Sequence, residues 1–247
     1  MTPRYKRENV AALFHEIKHC AGKENCWGKK NPKCQRPVVL PCKQQPEIMI
    51  VTEQMNLPEK KWKKDPREIP EDWNSSENLL NIIKDNKGGK KSGIVPRINE
   101  LFHGKFLKDF ENNEMSFREF YWTHFIKCAG NLRSGVFELK GLDKNICADT
   151  FLSKEIRVLR PKVIVCMGEH ASTWILKKAK YGAKWTDLLW EEVEQIVRNE
   201  KQIAEREIAE CGHKAEIIVL PHPSGINPLA TLLNKKLKNL LYFALSF

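Results

Sequence analysis

No apolar run in this 247-residue chain approaches the ~20 residues needed to span a bilayer, so nothing in it reads as a membrane helix. The opening MTPRYKRENV lacks the apolar core of a secretory signal, and no internal repeat is visible. Together these features lead to the expectation of a cytoplasmic protein. In that setting eight cysteines do not read as a disulfide framework; metal binding or chemistry suits them better. They are unevenly spread, with Cys20, Cys26, Cys34 and Cys42 near the N-terminus, Cys128 and Cys147 mid-chain, and Cys166 and Cys211 alone.

Acidic residues are in the minority. Lys and Arg number 42 against 31 Asp and Glu, a formal charge of +11. Such a surface favours polyanions, because each phosphate met by a cation releases condensed counterions. The remaining composition, 41% hydrophobic and 30% charged, is that of an ordinary globular protein. The length allows one large α/β domain with a single core.

Apolar periodicity places a short helix over residues 8–19 and a buried strand over Glu47–Thr52. Lys29–Pro46 reads as loop, and residues 57–92 as a long polar insertion. Pro96–Phe102 reads as helix and Phe120–Ile126 as a second buried strand. Asn145–Leu159 carries apolar residues along one helical face and stops before Pro161. Lys162–Met167 and Glu216–Leu220 are the third and fourth strands, and Ala171–Lys180, Asp187–Ala209 and Leu229–Leu245 are read as helices. Short apolar strands alternating with helices predict an α/β three-layer sandwich: a central four-stranded, mostly parallel sheet with helices on both faces. The whole of 1–247 is expected to form a single domain, with a cysteine-rich region over about 1–46 and the insertion over about 57–92.

In such sheets ligands bind beyond the carboxyl ends of the strands. Unusual polar residues fall there: Thr52, Glu53 and Gln54 after the first strand, His124 in the second, and His222 after the fourth. A carboxylate at Glu53 could stabilise a developing cation or orient a water. It could equally serve as a helix N-terminal carboxylate favoured by the dipole. His222, held in the rigid turn PHPSGINP, could donate a hydrogen bond to charge building on a leaving group.

The segments EIMIVTEQMN, YWTHFIKC, CADTFLSKEIRVLRPKVIVCMG and VLPHPSGINP, in this order and spacing, resemble the uracil-DNA glycosylase superfamily. The likeness covers most of residues 10–235 and is greatest to the family-4 iron–sulfur type. It implies that Glu53 is the motif-1 acid and His222 the motif-2 histidine. Gln54 would lie in the base pocket beside Thr52, and His124 would take the place of the base-reading Asn. Ser224, Gly225, Ile226 and Asn227 would form the loop entering the DNA minor groove, Ile226 filling the space left by the flipped base. The first motif departs from the family pattern: Thr52 replaces Gly, and Met55-Asn56 replaces Pro-Gly. The family's stacking aromatic has no counterpart before Gly93, so Trp62 or Trp73 would have to substitute. The resemblance also implies a [4Fe–4S] cluster on Cys20, Cys26, Cys128 and Cys147, with Cys34 able to replace either N-terminal ligand and zinc as the rival occupant.

The expected function is therefore monofunctional excision of uracil, or a related deaminated base, from DNA in base excision repair. The protein would be a monomer, free of membranes and associated with the nucleoid. A non-catalytic or covalently trapping reader of damaged DNA is the alternative, and a metal-stabilised nucleic-acid-binding module without excision the third.

Overall fold

A computed structural model of the chain describes residues 7–20, 26, 42, 45–56, 94–112, 118–130, 145–178, 204–208 and 212–220. The first helix, α1 (Arg7–Lys18), buries Val10, Leu13 and Ile17, the 3–4 spacing of a single apolar stripe. Strand β1 (Ile48–Asn56) follows, then the short helices α2 (Ile94–Leu101) and α3 (Lys105–Asn112). Between them His103 and Gly104 both take positive φ, 52° and 83°, turning the chain sharply. Strand β2 (Phe120–Gly130) leads to a π-helical turn (Ala148–Leu152) and α4 (Ser153–Leu159). Arg160 closes α4 in the left-handed conformation, directly before Pro161, which cannot continue a helix. Strand β3 (Val163–Met167), α5 (Glu169–Lys178), β4 (Ala204–Ile208) and β5 (His213–Leu220) complete the described elements.

The strands form one sheet in the order β2-β1-β3-β5-β4. The first four run parallel, and β4 pairs antiparallel with β5 at the edge. This is the expected α/β sheet with one strand added. Ala204–Ile208 was expected within a helix spanning Asp187–Ala209, and it is instead the edge strand. The rest of that helix and the closing helix over Leu229–Leu245 lie outside the described residues, as does the insertion over 57–92.

Alternation along β2 assigns the layers. Phe120 and Trp122 meet Phe102 and Phe106 of the α2–α3 pair, with ring centroids 5.0 to 6.0 Å apart. Tyr121 and Phe125 point to the other face, where Phe14 of α1 stacks on Tyr121 at 5.7 Å and Trp174 of α5 meets Phe125 at 6.5 Å. Helices therefore cover both faces, and the strands between them are apolar without interruption: Ile48 to Val51 and Val163 to Met167 are all buried.

Candidate active site

Chain order sets the location of the site. From β1 the chain adds β2 on one side and β3 on the other, so the carboxyl ends of β1 and β3 diverge at the topological switch point, where open α/β sheets form their ligand crevice. Val51 pairs with Cys166, so Glu53 comes level with Gly168, the first residue beyond β3. Gly168 has φ +103°, and a Cβ added there would lie 2.5 Å from Glu53 Oε1. The bare glycine backbone is thus the seat of the carboxylate. One oxygen, Oε1, accepts the backbone N–H of His170 at 3.1 Å and lies 3.3 Å from His170 Nδ1, which donates in its protonated tautomer. Both side chains retain some exposure, 14% for Glu53 and 22% for His170. The alternative open at Glu53, a carboxylate at a helix N-terminus, is therefore realised: it faces the positive end of α5. Gly168 in turn donates its N–H to Leu220 O at 2.8 Å, tying this point to the end of β5, two residues before His222 in the chain.

Thr52 and His124 are register partners and share the opposite face of the sheet from Glu53. The Thr52 hydroxyl accepts Trp122 Nε1–H at 3.0 Å and donates to Thr123 O at 3.4 Å, both within the core. His124 is only 1% exposed, with its ring 5.2 Å from that of Trp122. Burial, aided by the positive charge of Lys127, holds its pKa down to about 3, so the imidazole is neutral at physiological pH. Its Nε2 is buried and has no hydrogen-bond partner among the described residues. Because β2 runs on to Gly130, His124 lies within the strand rather than at its end.

A second polar cluster, which inspection of the sequence missed, lies under the sheet. Glu155 of α4 accepts Tyr121 O–H at 2.6 Å and Thr123 O–H at 3.0 Å on one oxygen, and pairs with Lys127 Nζ at 2.5 Å on the other. Lys127 also donates to Thr123 Oγ1 at 2.7 Å, and both ions are 1% exposed. Burial and then the Glu155 charge raise the Tyr121 pKa well above its ordinary value. Two signals were available: a lysine at an inward position of an apolar strand, and a glutamate on the apolar side of LSKEIRVL. His170 was missed too, although a glycine directly after a buried strand and before a helix is the usual place for a close approach.

Cys26, Cys128 and Cys147 are buried and Cys20 is half-buried. The Cys147 thiol is pushed up to about 12, first by burial, with Cys128 and Cys26 adding like charge, so the three sulfurs are electrostatic neighbours. Cys20 packs against the Leu13, Ile17 and Phe151 cluster, Phe151 belonging to the turn that follows Cys147. Among the described residues no group of three or more His, Cys, Asp or Glu is arranged to hold a metal ion. Cys42 lies apart, its thiol 3.9 Å from Phe120 O at the start of β2, and Cys166 is a core residue of β3. His222, the loop Ser224–Asn227, the side chain of Gln54, Cys34, Trp62 and Trp73 lie outside the described residues.

A mostly parallel α/β sheet with a carboxylate seated at its switch point is the kind of fold in which ligand sites form at the carboxyl edge. The chain belongs to the uracil DNA glycosylase superfamily, whose family model matches residues 42–245. Members of that superfamily are DNA glycosylases, hydrolases that act on DNA. No curated protein matches the chain. Among the described residues no helix is long and apolar enough to cross a membrane.

Proposed function

We propose that this protein is a monofunctional glycosylase that hydrolyses the N-glycosidic bond of uracil, or a related deaminated base, in DNA. The observation that carries the proposal is the Glu53 carboxylate seated at the switch point, inside the segment matched by the family model. In the proposed reaction the damaged nucleotide is extruded from the stack into the crevice. Glu53 stabilises positive charge on the sugar or orients the attacking water. Water adds to the sugar C1′ and releases a proton to solvent as the bond to the base nitrogen breaks, and the base leaves with the bonding electrons. His222 donates a hydrogen bond to that anion, a preorganised contact typically worth ~3–4 kcal/mol. Gln54 lines the base pocket, with Thr52 supporting the strand beneath it through its core hydrogen bonds, and Ser224 to Asn227 engage the minor groove. No lysine is assigned as a Schiff-base nucleophile, and Lys127 is held in its buried pair with Glu155.

His124 is proposed to read the base edge. An unmatched polar atom in the interior costs ~1–3 kcal/mol, a penalty that a hydrogen bond from the base would remove. A neutral imidazole offers one donor and one acceptor, as the family's Asn does, but with different geometry.

Cys20, Cys26, Cys128 and Cys147 are proposed to hold a structural [4Fe–4S] cluster, zinc being the alternative. The donors suit such a group in kind, being four soft thiols of which three are buried, although the described residues do not gather them into a metal-holding arrangement. Anaerobically purified protein should be brown and release acid-labile sulfide. Stoichiometric zinc with neither would exclude the cluster.

The deciding experiment incubates the protein with uracil-, hypoxanthine- and xanthine-containing oligonucleotides, followed by alkali cleavage at abasic sites. Excision that is lost in Glu53→Gln and His222→Ala is expected; excision unchanged in both would overturn the site assignment. A second reading, a reader or trap of damaged DNA, is favoured by the departures of the first motif at Thr52 and Met55-Asn56 and by His124 in place of the base-reading Asn. It would give DNA binding without release of base, or a protein–DNA adduct that survives denaturing electrophoresis.

A further inference from the structure

We infer that His170 is a positioning residue for the reaction, acting through Glu53 as a carboxylate–imidazole pair at the switch point. The inference rests on the proposed role of Glu53 and adds a residue that role does not include.

Three independent features of the fold converge on one oxygen. The His170 N–H fixes Glu53 Oε1 from the first turn of α5 at 3.1 Å. The His170 ring approaches the same oxygen at 3.3 Å through Nδ1. Gly168 removes the Cβ that would occupy the space of the carboxylate, whose nearest approach would be 2.5 Å. A single backbone contact would leave the carboxylate free to rotate about its terminal torsion, which is broad and soft. A second donor on the same oxygen fixes its plane, and so sets where the other oxygen is presented.

Phe125 of β2 lies 6.4 Å from the His170 ring on the sheet side. On its outer side His170 lines a cleft of about 380 Å³, together with Asn145, Asp149, Thr173, Trp174 and Lys177. His170 thus stands between the proposed acid and a surface depression on the face covered by α5. An orienting group of this kind acts on the reaction rate rather than on DNA affinity, because misplacing a reacting group by ~1 Å can cost ~100-fold.

The test is single-turnover excision of uracil from an oligonucleotide by the full chain, with DNA affinity measured alongside. His170→Ala should slow the chemical step by ~10–100-fold and leave DNA affinity within about twofold. His170→Asn, which keeps a donor near the same place, should recover much of the rate. Adding His170→Ala to Glu53→Gln should cause no further loss, since both act on one group. Gly168→Ala, whose Cβ would drive the carboxylate from its seat, should also slow the chemical step. The inference is overturned if His170→Ala excises at the wild-type rate, if the Asn variant is no better than Ala, or if the losses simply add. Should Glu53→Gln excise normally, the proposed role of Glu53 fails and this inference with it. Glu53→Gln inactive beside a fully active His170→Ala sinks the inference alone.

Discussion

At the scale of single residues, His124 shows how a side chain's surroundings outweigh its intrinsic chemistry. Its folded pKa is about 3 and its ordinary value 6.5, with burial as the main cause. Between those values the unfolded chain binds a proton that the folded chain does not. Stability is therefore fully present above pH 6.5 and declines as the pH falls towards 3. His213 has a pKa lowered in the same sense, again mainly by burial, and contributes with the same sign. Replacing His124 by Phe should flatten the fall in unfolding free energy over that window, by on the order of a few kcal/mol, in urea titrations at a series of pH values. An unchanged slope would mean that the imidazole is solvated in solution. Glu53 is the complementary case: the same sequence position supported a catalytic acid and a helix-end carboxylate, and the fold seats it at the N-terminus of α5.

Among the elements, the joint between β2 and α4 is held by charge rather than by apolar contact alone. Lys127 and Glu155 are sealed together with Tyr121 and Thr123, all four side chains buried. Breaking such a pair from one side leaves an uncompensated interior charge, whereas removing both ends can be nearly neutral. Glu155→Leu should therefore lower the urea-unfolding free energy by ~3–5 kcal/mol, and Glu155→Leu combined with Lys127→Met should regain most of it. If the double variant is as unstable as the single one, the network does more than neutralise itself. Asp109 acts similarly on a smaller scale: its Oδ2 accepts the N–H groups of Arg118, Glu119 and Phe120 at 2.9, 2.9 and 3.2 Å, joining α3 to the start of β2. Asp109→Ala should cost ~1–3 kcal/mol in the same assay, the penalty for stripping a shared acceptor from backbone donors.

For the whole molecule, the +11 charge should govern its encounter with DNA. A protein neutralising 6–10 phosphates loses about 10³–10⁵ in affinity between 50 and 200 mM salt. Anisotropy titrations on an undamaged duplex should show a linear fall of log K with log salt. A flat dependence would mean that the excess charge faces away from the nucleic acid.

The strands and their faces were legible in the sequence, since a strand covered by helices on both sides must be apolar throughout. IMIV and VIVCM announce themselves in that way. The short helix read over Pro96–Phe102, which the structure places at Ile94–Leu101, and the stop at Pro161 were legible for equally local reasons. Ala204–Ile208 was misread because its charges suit a solvated helix face as well as an edge strand, and only pairing with β5 separates the two. The Lys127–Glu155 pair and the seating of Glu53 on Gly168 and His170 could not be read along the chain, for their partners lie 28 and more than 100 residues apart. Local sequence determined which residues are apolar and where the chain turns. Tertiary structure alone decided which polar groups meet, because a hydrogen bond is set by distances of about 3 Å that sequence separation does not encode.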